Sequence, residues 1–105
     1  MDNLKALTQS IKNRHLISFN YKGHTRIAEP YHYGYLQADA AFEKHRAYFL
    51  CYQIEGSSQS GELGFKSMFL DLISDLHILT TRPFTPRSDY NPHDKRWKII
   101  CGIYS

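Results

Sequence analysis

The stretch TRIAEPYHYGYL, residues 25–36, decides the predicted fold because its side chains follow a period of two, as in a β-strand. One face of this strand would carry Arg26, Ala28, Pro30, His32 and Gly34, and the other Ile27, Glu29, Tyr31, Tyr33 and Tyr35. Pro30 has no N–H group to donate to a neighbouring strand. We therefore predict an edge or a bend at Pro30, where the alternation can change face.

The sequence on either side adds one helix and further strands. DNLKALTQSIKN has Asp2 or Asn3 as a candidate N-cap, followed by leucine and isoleucine at helical spacing (Leu4, Leu7 and Ile11). HLISFNYKG then alternates again, with Ile17, Phe19 and Tyr21 on one face. Residues 37–45 form a polar connection, and RAYFLCYQIEG is apolar on both faces, as in a central strand.

The second half of the chain predicts more strands separated by irregular segments. Residues 55–64 are a Gly/Ser-rich loop, and FKSMFLDLISDLHILTT predicts two strands with a kink near Asp71 to Asp75. In the tail, Asn91, Pro92 and Asp94 favour a short helical turn before a closing strand. The fold class predicted is mainly β: an N-terminal helix and about five strands curved into a small closed barrel.

Length and composition bound the range of functions. A chain of 105 residues, with 42% hydrophobic and 22% charged residues, predicts a single globular domain over residues 1–105. The net charge of +3 only mildly favours an anionic partner. Cys51 and Cys101 lie in apolar runs, which predicts buried, reduced thiols. With neither a signal sequence nor a long apolar run, we expect a soluble cytoplasmic protein that does not enter membranes.

Motifs for metal binding and catalysis are missing from the sequence. The six histidines form no HxH or HExxH motif, and no cysteine stands at ligand spacing. No Walker loop, GxGxxG or GxSxG motif occurs, and no pair of carboxylates stands out for acid–base work. We therefore expect no metal site, no cofactor and no enzymatic activity.

Cations next to aromatic residues are the pattern that points to a function. Guanidinium groups bind phosphate and aromatic rings stack on bases, so this combination on a curved sheet predicts binding of a nucleotide or single-stranded nucleic acid. The alternative is that the tyrosines fill the core and the cations are solvated. The pairings are Arg26 with Tyr31 and Tyr33, Arg46 with Tyr48 and Tyr52, Lys66 with Phe65, and Arg87 with Tyr90.

Taken in order, several segments of the chain resemble the WYL domain, and especially small stand-alone WYL-like proteins of uncharacterised function. These segments are IKNRHLISFNYKG, RIAEPYHYG, YFLCYQIEGSSQSG, GFKSMFLDLISDLHIL and RPFTPRSDYNP. The most specific are the R-x-x-E-P element, residues 26–30, and LDLISDLHIL. The resemblance implies an Sm-like or SH3-like barrel, typical of bacterial regulators that sense nucleic acid or another anionic ligand. It implies ligand-binding roles for Arg26, Tyr48 and Lys66.

Together, the residue pattern and the resemblance predict a non-catalytic ligand-binding module of transcription regulation. The predicted ligand-binding residues are Arg26, Tyr31, Tyr33, Tyr48, Lys66 and Arg87.

The chain departs from the family at positions that matter for such a ligand. Ala47 stands where the name-giving tryptophan would be, with Phe49 at the leucine position. Phe69 and Leu72 replace basic residues, which removes charge-assisted hydrogen bonds worth about 1.5 to 3 kcal/mol each. The alternative prediction is therefore a homodimerisation or protein-interaction module that uses Phe69 and Leu72 and has lost the anion site.

Overall fold

The protein is described by a computed structural model that covers residues 3–36, 46–56, 61 and 63–104. The predicted connection 37–45, the candidate cap Asp2 and residues 57–60 and 62 of the predicted loop 55–64 lie outside these residues. The elements are helix α1 (Asn3–Asn13) and strands β1 (His15–Tyr21), β2 (His24–Leu36), β3 (Tyr48–Gly56), β4 (Gly64–Phe69), β5 (Ser74–Pro83) and β6 (Trp97–Gly102), with a 3-10 turn at Leu70–Leu72.

Helix α1 forms as predicted and packs on the sheet through a narrow apolar stripe. Leu7 and Ile11 are fully buried in the core, whereas Leu4 at the start of the helix is 41% exposed. The side-chain amide of Asn3 donates to the backbone oxygen of Ile73 at 3.0 Å. This bond ties the first turn of the helix to the start of β5.

All six strands belong to one antiparallel sheet in which β2 pairs with three others, β1, β3 and β6. The order is β4-β3-β2-β1-β5, and β6 pairs with the C-terminal half of β2. Where β2 meets β6, a Cβ added at Gly34 would lie 2.0 Å from the backbone oxygen of Lys98, so only glycine fits.

The mainly β prediction is confirmed, with six strands rather than about five. The described pairings do not join β4 to β5, so the sheet is not closed into the predicted barrel.

The alternation of β2 changes at Pro30, as predicted. The register with β3 passes from Pro30 opposite Cys51 to His32 opposite Leu50, which leaves Tyr31 as an extra residue. The backbone oxygen of Tyr31 instead accepts a hydrogen bond from the N–H of Ile103 at 2.9 Å. This bulge places two consecutive side chains, Tyr31 and His32, on the same face of the sheet.

The sheet has two covered faces. Directly paired residues of antiparallel strands point to the same face, so the register assigns each side chain. The inner face, under α1, carries Ile17, Phe19, Tyr21, Arg26, Ala28, Tyr33, Phe49, Cys51, Gln53, Lys66 and Met68. The outer face carries Glu29, Tyr31, His32, Tyr48, Leu50, Tyr52, Phe65, Ser67 and Phe69. Both cysteines are buried and free, as predicted.

A strap, defined as residues 84–96 between β5 and β6, covers the outer face. It begins with the N–H of Phe84 donating to the backbone oxygen of Arg14 at 2.9 Å. The predicted turn after Asn91 forms as two hydrogen-bonded turns, at residues 92–93 and 95–96, and does not continue into a helix. The side-chain oxygen of Asn91 accepts from the N–H of His93 at 2.9 Å, which is the bond expected of the predicted N-cap.

The predicted kink between β4 and β5 is confirmed. The 3-10 turn Leu70–Leu72 separates the two strands, and Asp75 has a φ of 51°. The amide of Asn20 donates to the carboxylate of Asp75 at 2.9 Å, which anchors this left-handed residue to β1.

Candidate functional site

Arg26 on the inner face is a buried cation with weak partners. Arg26 is 5% exposed. Its Nη1 lies 3.5 Å from Gln53 Oε1, and its Nη2 lies 3.5 Å from the backbone oxygen of Tyr21. Its Nε is buried without a hydrogen-bond partner. The guanidinium lies 5.1 Å from the centre of the Tyr21 ring. Among the residues that the structure describes, no carboxylate forms a salt bridge with Arg26.

Lys66 lies on the same inner face, on β4, which is two strands away from β2. In the register of β3 with β4 it stands opposite Cys51. Burial raises the pKa of the Cys51 thiol to about 12, and the positive charges of Arg26 and Lys66 partly oppose this rise. Both cations therefore lie near the same buried thiol. A thiol with so high a pKa is unreactive at neutral pH.

Arg87, by contrast, is held in an ion pair on the outer face. Its Nε and Nη2 atoms donate to the two carboxylate oxygens of Glu29 at 3.0 and 3.3 Å. The Tyr31 hydroxyl donates to Glu29 at 2.8 Å and accepts from the N–H of Arg87 at 2.9 Å. The guanidinium also lies 3.6 Å from the ring centre of Tyr52. This network fastens the strap to β2, and burial raises the pKa of Tyr31.

The three tyrosines predicted to stack on a ligand are all buried. Tyr31 is 0%, Tyr33 8% and Tyr48 6% exposed. The hydroxyl of Tyr33 lies 3.0 Å from Thr8 Oγ1 on α1. Tyr48 packs against Phe69, with ring centres 4.9 Å apart. In these positions the three rings are part of the packing on the two faces of the sheet and present little surface for a ligand to stack on.

The six predicted site residues thus divide between the two faces. Arg26, Lys66 and Tyr33 lie on the inner face, and the remaining three, Tyr31, Tyr48 and Arg87, lie on the outer face. Arg26 and Lys66 thus share one face of the sheet, and Arg87 lies on the other.

A cleft of about 350 Å³ opens on the outer face beside the strap. Sequence reasoning missed this site, although the cluster of polar and aromatic residues in RSDYNPHDKRW was a usable signal. The cleft is lined by Leu50, Phe65, Ser67, Asp89, Tyr90, Asn91, Asp94, Arg96 and Trp97.

His32 supports two of the rings that line this cleft. Its Nδ1 lies 2.7 Å from the Tyr90 hydroxyl, and its ring meets Trp97 edge-on at 4.3 Å between centres. His32 is fully buried, and its Nε2 has no hydrogen-bond partner. Burial lowers the pKa of His32 to about 4, so the ring is neutral at pH 7.

The two apolar residues of the predicted partner surface differ in exposure. Phe69 is half-buried against Tyr48, and the guanidinium of Arg46 lies 3.6 Å from the centre of its ring. Leu72 in the 3-10 turn is 42% exposed.

The described part of the chain holds no group of three or more His, Cys, Asp and Glu side chains placed to bind a metal ion. Among the same residues, no helix has the length and apolar character needed to cross a membrane.

One solved structure gives a clear likeness of fold. The chain is similar to proteasome accessory factor B/C (PafBC) of Arthrobacter aurescens, with a TM-score of 0.62 and 20% sequence identity. The match covers 85% of this chain but only 13% of that one. No family model matches the chain, and neither does any curated protein. At this identity the likeness concerns the fold alone.

Proposed function

We propose that the chain is a non-catalytic regulatory module of the WYL type that binds a nucleotide, a nucleic acid or another anionic ligand on the inner face. Arg26 is the central cation and Lys66 a second one. The fold likeness to a regulator is compatible with such a role.

The observation that carries the proposal is the state of Arg26. A buried charge without a counter-charge costs several kcal/mol of folding free energy. Both described hydrogen bonds of Arg26 are long, at 3.5 Å, and therefore weak. An anion would supply the missing charge and a partner for the guanidinium. Because Arg26 is 5% exposed, contact is limited to a compact group such as a phosphate.

The test is a fluorescence anisotropy titration with a short labelled oligothymidine and a labelled adenine nucleotide at several salt concentrations. Affinity should fall with rising salt, since phosphate binding releases counterions. Arg26→Gln should weaken binding about 10- to 100-fold, as expected for one lost charge-assisted contact.

Lys98→Gln is the matched control, because it removes one positive charge from an exposed position on β6. It should change affinity less than about twofold, since exposed charges act weakly at a distance. Equal losses in both variants would indicate non-specific attraction to a basic protein. That result, or no binding of either probe, would overturn the proposal.

A homodimer through Phe69 and Leu72 has weaker support. Phe69 already packs against Tyr48 and Arg46, which leaves Leu72 as the more exposed of the two. A single exposed leucine is common on monomeric proteins.

A further inference from the structure

The outer-face cleft is separate from the inner face that carries Arg26 and Lys66. The sheet itself lies between them, because Leu50, Phe65 and Ser67 point away from Cys51 and Lys66 on the same strands. The cleft volume of about 350 Å³ falls in the range of small-molecule sites. An occupant of this cleft would therefore be a second ligand.

Aromatic rings form much of the cleft lining. Phe65 is 38% exposed and rests on Tyr52, with ring centres 4.8 Å apart. Tyr90 and Trp97 are held from behind by His32. Aromatic rings attract cations through the negative potential of their faces.

The charges around the cleft sum to one unpaired negative charge. Arg96 forms an ion pair with Asp94: its Nη2 donates to the carboxylate at 2.7 Å, and its Nε and backbone N–H donate as well. Asp89 is exposed, and none of the described cations forms a salt bridge with it. His32 beneath the rings is neutral at pH 7 and does not offset that charge.

We propose that this cleft binds a small organic cation, namely an ammonium group attached to a compact apolar or aromatic body. Asp89 receives the charge, while Phe65, Tyr90 and Trp97 contact the body. The rest of the chain is basic, with a net charge of +3, so a cationic ligand would be attracted only where a carboxylate is unpaired. The proposal does not depend on anion binding by Arg26.

Trp97 is the single tryptophan of the protein, so its fluorescence reports directly on the cleft. The probes are benzylamine, benzyl alcohol and benzoate at pH 7, which share a ring and differ in charge. Benzylamine should give a saturable change and bind about fivefold tighter than benzyl alcohol, as expected for one partly exposed charge pair. Benzoate should bind most weakly.

Asp89→Asn should abolish the preference for benzylamine over benzyl alcohol. Asp71→Asn is the matched control, since Asp71 is an exposed carboxylate of the 3-10 turn that pairs with Arg46. This variant should keep the preference. The proposal is overturned if amine and alcohol bind equally, if benzoate binds best, if no probe gives saturation, or if both variants behave alike. Circular dichroism would verify that each variant is folded.

Discussion

Arg26 and Glu29 stand three residues apart on β2, yet their side chains enter different surroundings. Glu29 on the outer face accepts bonds from Arg87 and Tyr31 and forms a paired, nearly buried network. Arg26 on the inner face is equally buried but has no described counter-charge. A buried pair is costly to break, whereas a buried lone charge is costly to keep. The comparison separates a charge whose partner stabilises the fold from a charge whose burial costs stability.

Removing the carboxylate of the paired network should have the largest effect. Glu29→Ala leaves Arg87 and the Tyr31 hydroxyl without their shared acceptor, and we expect it to lower the free energy of unfolding by about 3 kcal/mol. Urea denaturation followed by Trp97 fluorescence measures the loss.

The control for this prediction is Glu55→Ala, which breaks a salt bridge between the exposed Glu55 and Arg82. It should cost no more than about 0.5 kcal/mol. Similar losses in both variants would show that the Glu29 network is no stronger than a surface pair.

His32 tests whether the outer face also excludes unpaired charge. Its pKa is about 4 in the folded protein and near 6.5 in the unfolded chain. Above pH 6.5 the His32 ring is neutral in both the folded and the unfolded protein. As the pH falls towards 4, His32 of the unfolded chain is protonated first, which favours unfolding. Stability should therefore fall by about 2 kcal/mol between pH 7 and pH 5.

This loss is measured by urea denaturation at the two pH values, in the parent protein and in His32→Gln. The variant should lose most of the pH dependence in this window. If the stability of His32→Gln depends on pH as strongly as that of the parent protein, other titrating groups cause the effect.

The smallest predicted effect has the opposite sign. Arg26→Met replaces a buried, unpaired guanidinium with an apolar side chain of similar length, and we expect the free energy of unfolding to rise by about 1 kcal/mol. The same experiment with Arg87→Met should lower it, because Glu29 then loses its partner. If both methionine variants lose stability, the contacts of Arg26 with Tyr21 and Gln53 already compensate its burial.

The sequence predicted features that depend on neighbouring residues. The alternation of Ile17, Phe19 and Tyr21 gave the buried face of β1, and Pro30 marked the change of register in β2. Asn91 likewise makes the capping bond predicted for it, to the N–H of His93.

Features that depend on distant partners were not predicted. The Glu29 to Arg87 pair joins residues 58 positions apart, so nothing near either residue indicates it. The face that each of Arg26, Lys66 and Arg87 enters was equally out of reach of local patterns. Which face a side chain enters depends on strand register, and the bulge at Tyr31 changes that register within a single strand.

The position of Arg26 and Glu29 on opposite faces of one strand also has a consequence for substitutions. A substitution at position 26 alters the inner face and leaves the Glu29 network in place. A four-residue interval thus carries two positions whose substitutions act on different faces. If the inner face binds the proposed ligand, single substitutions there would change binding without any change to the strap.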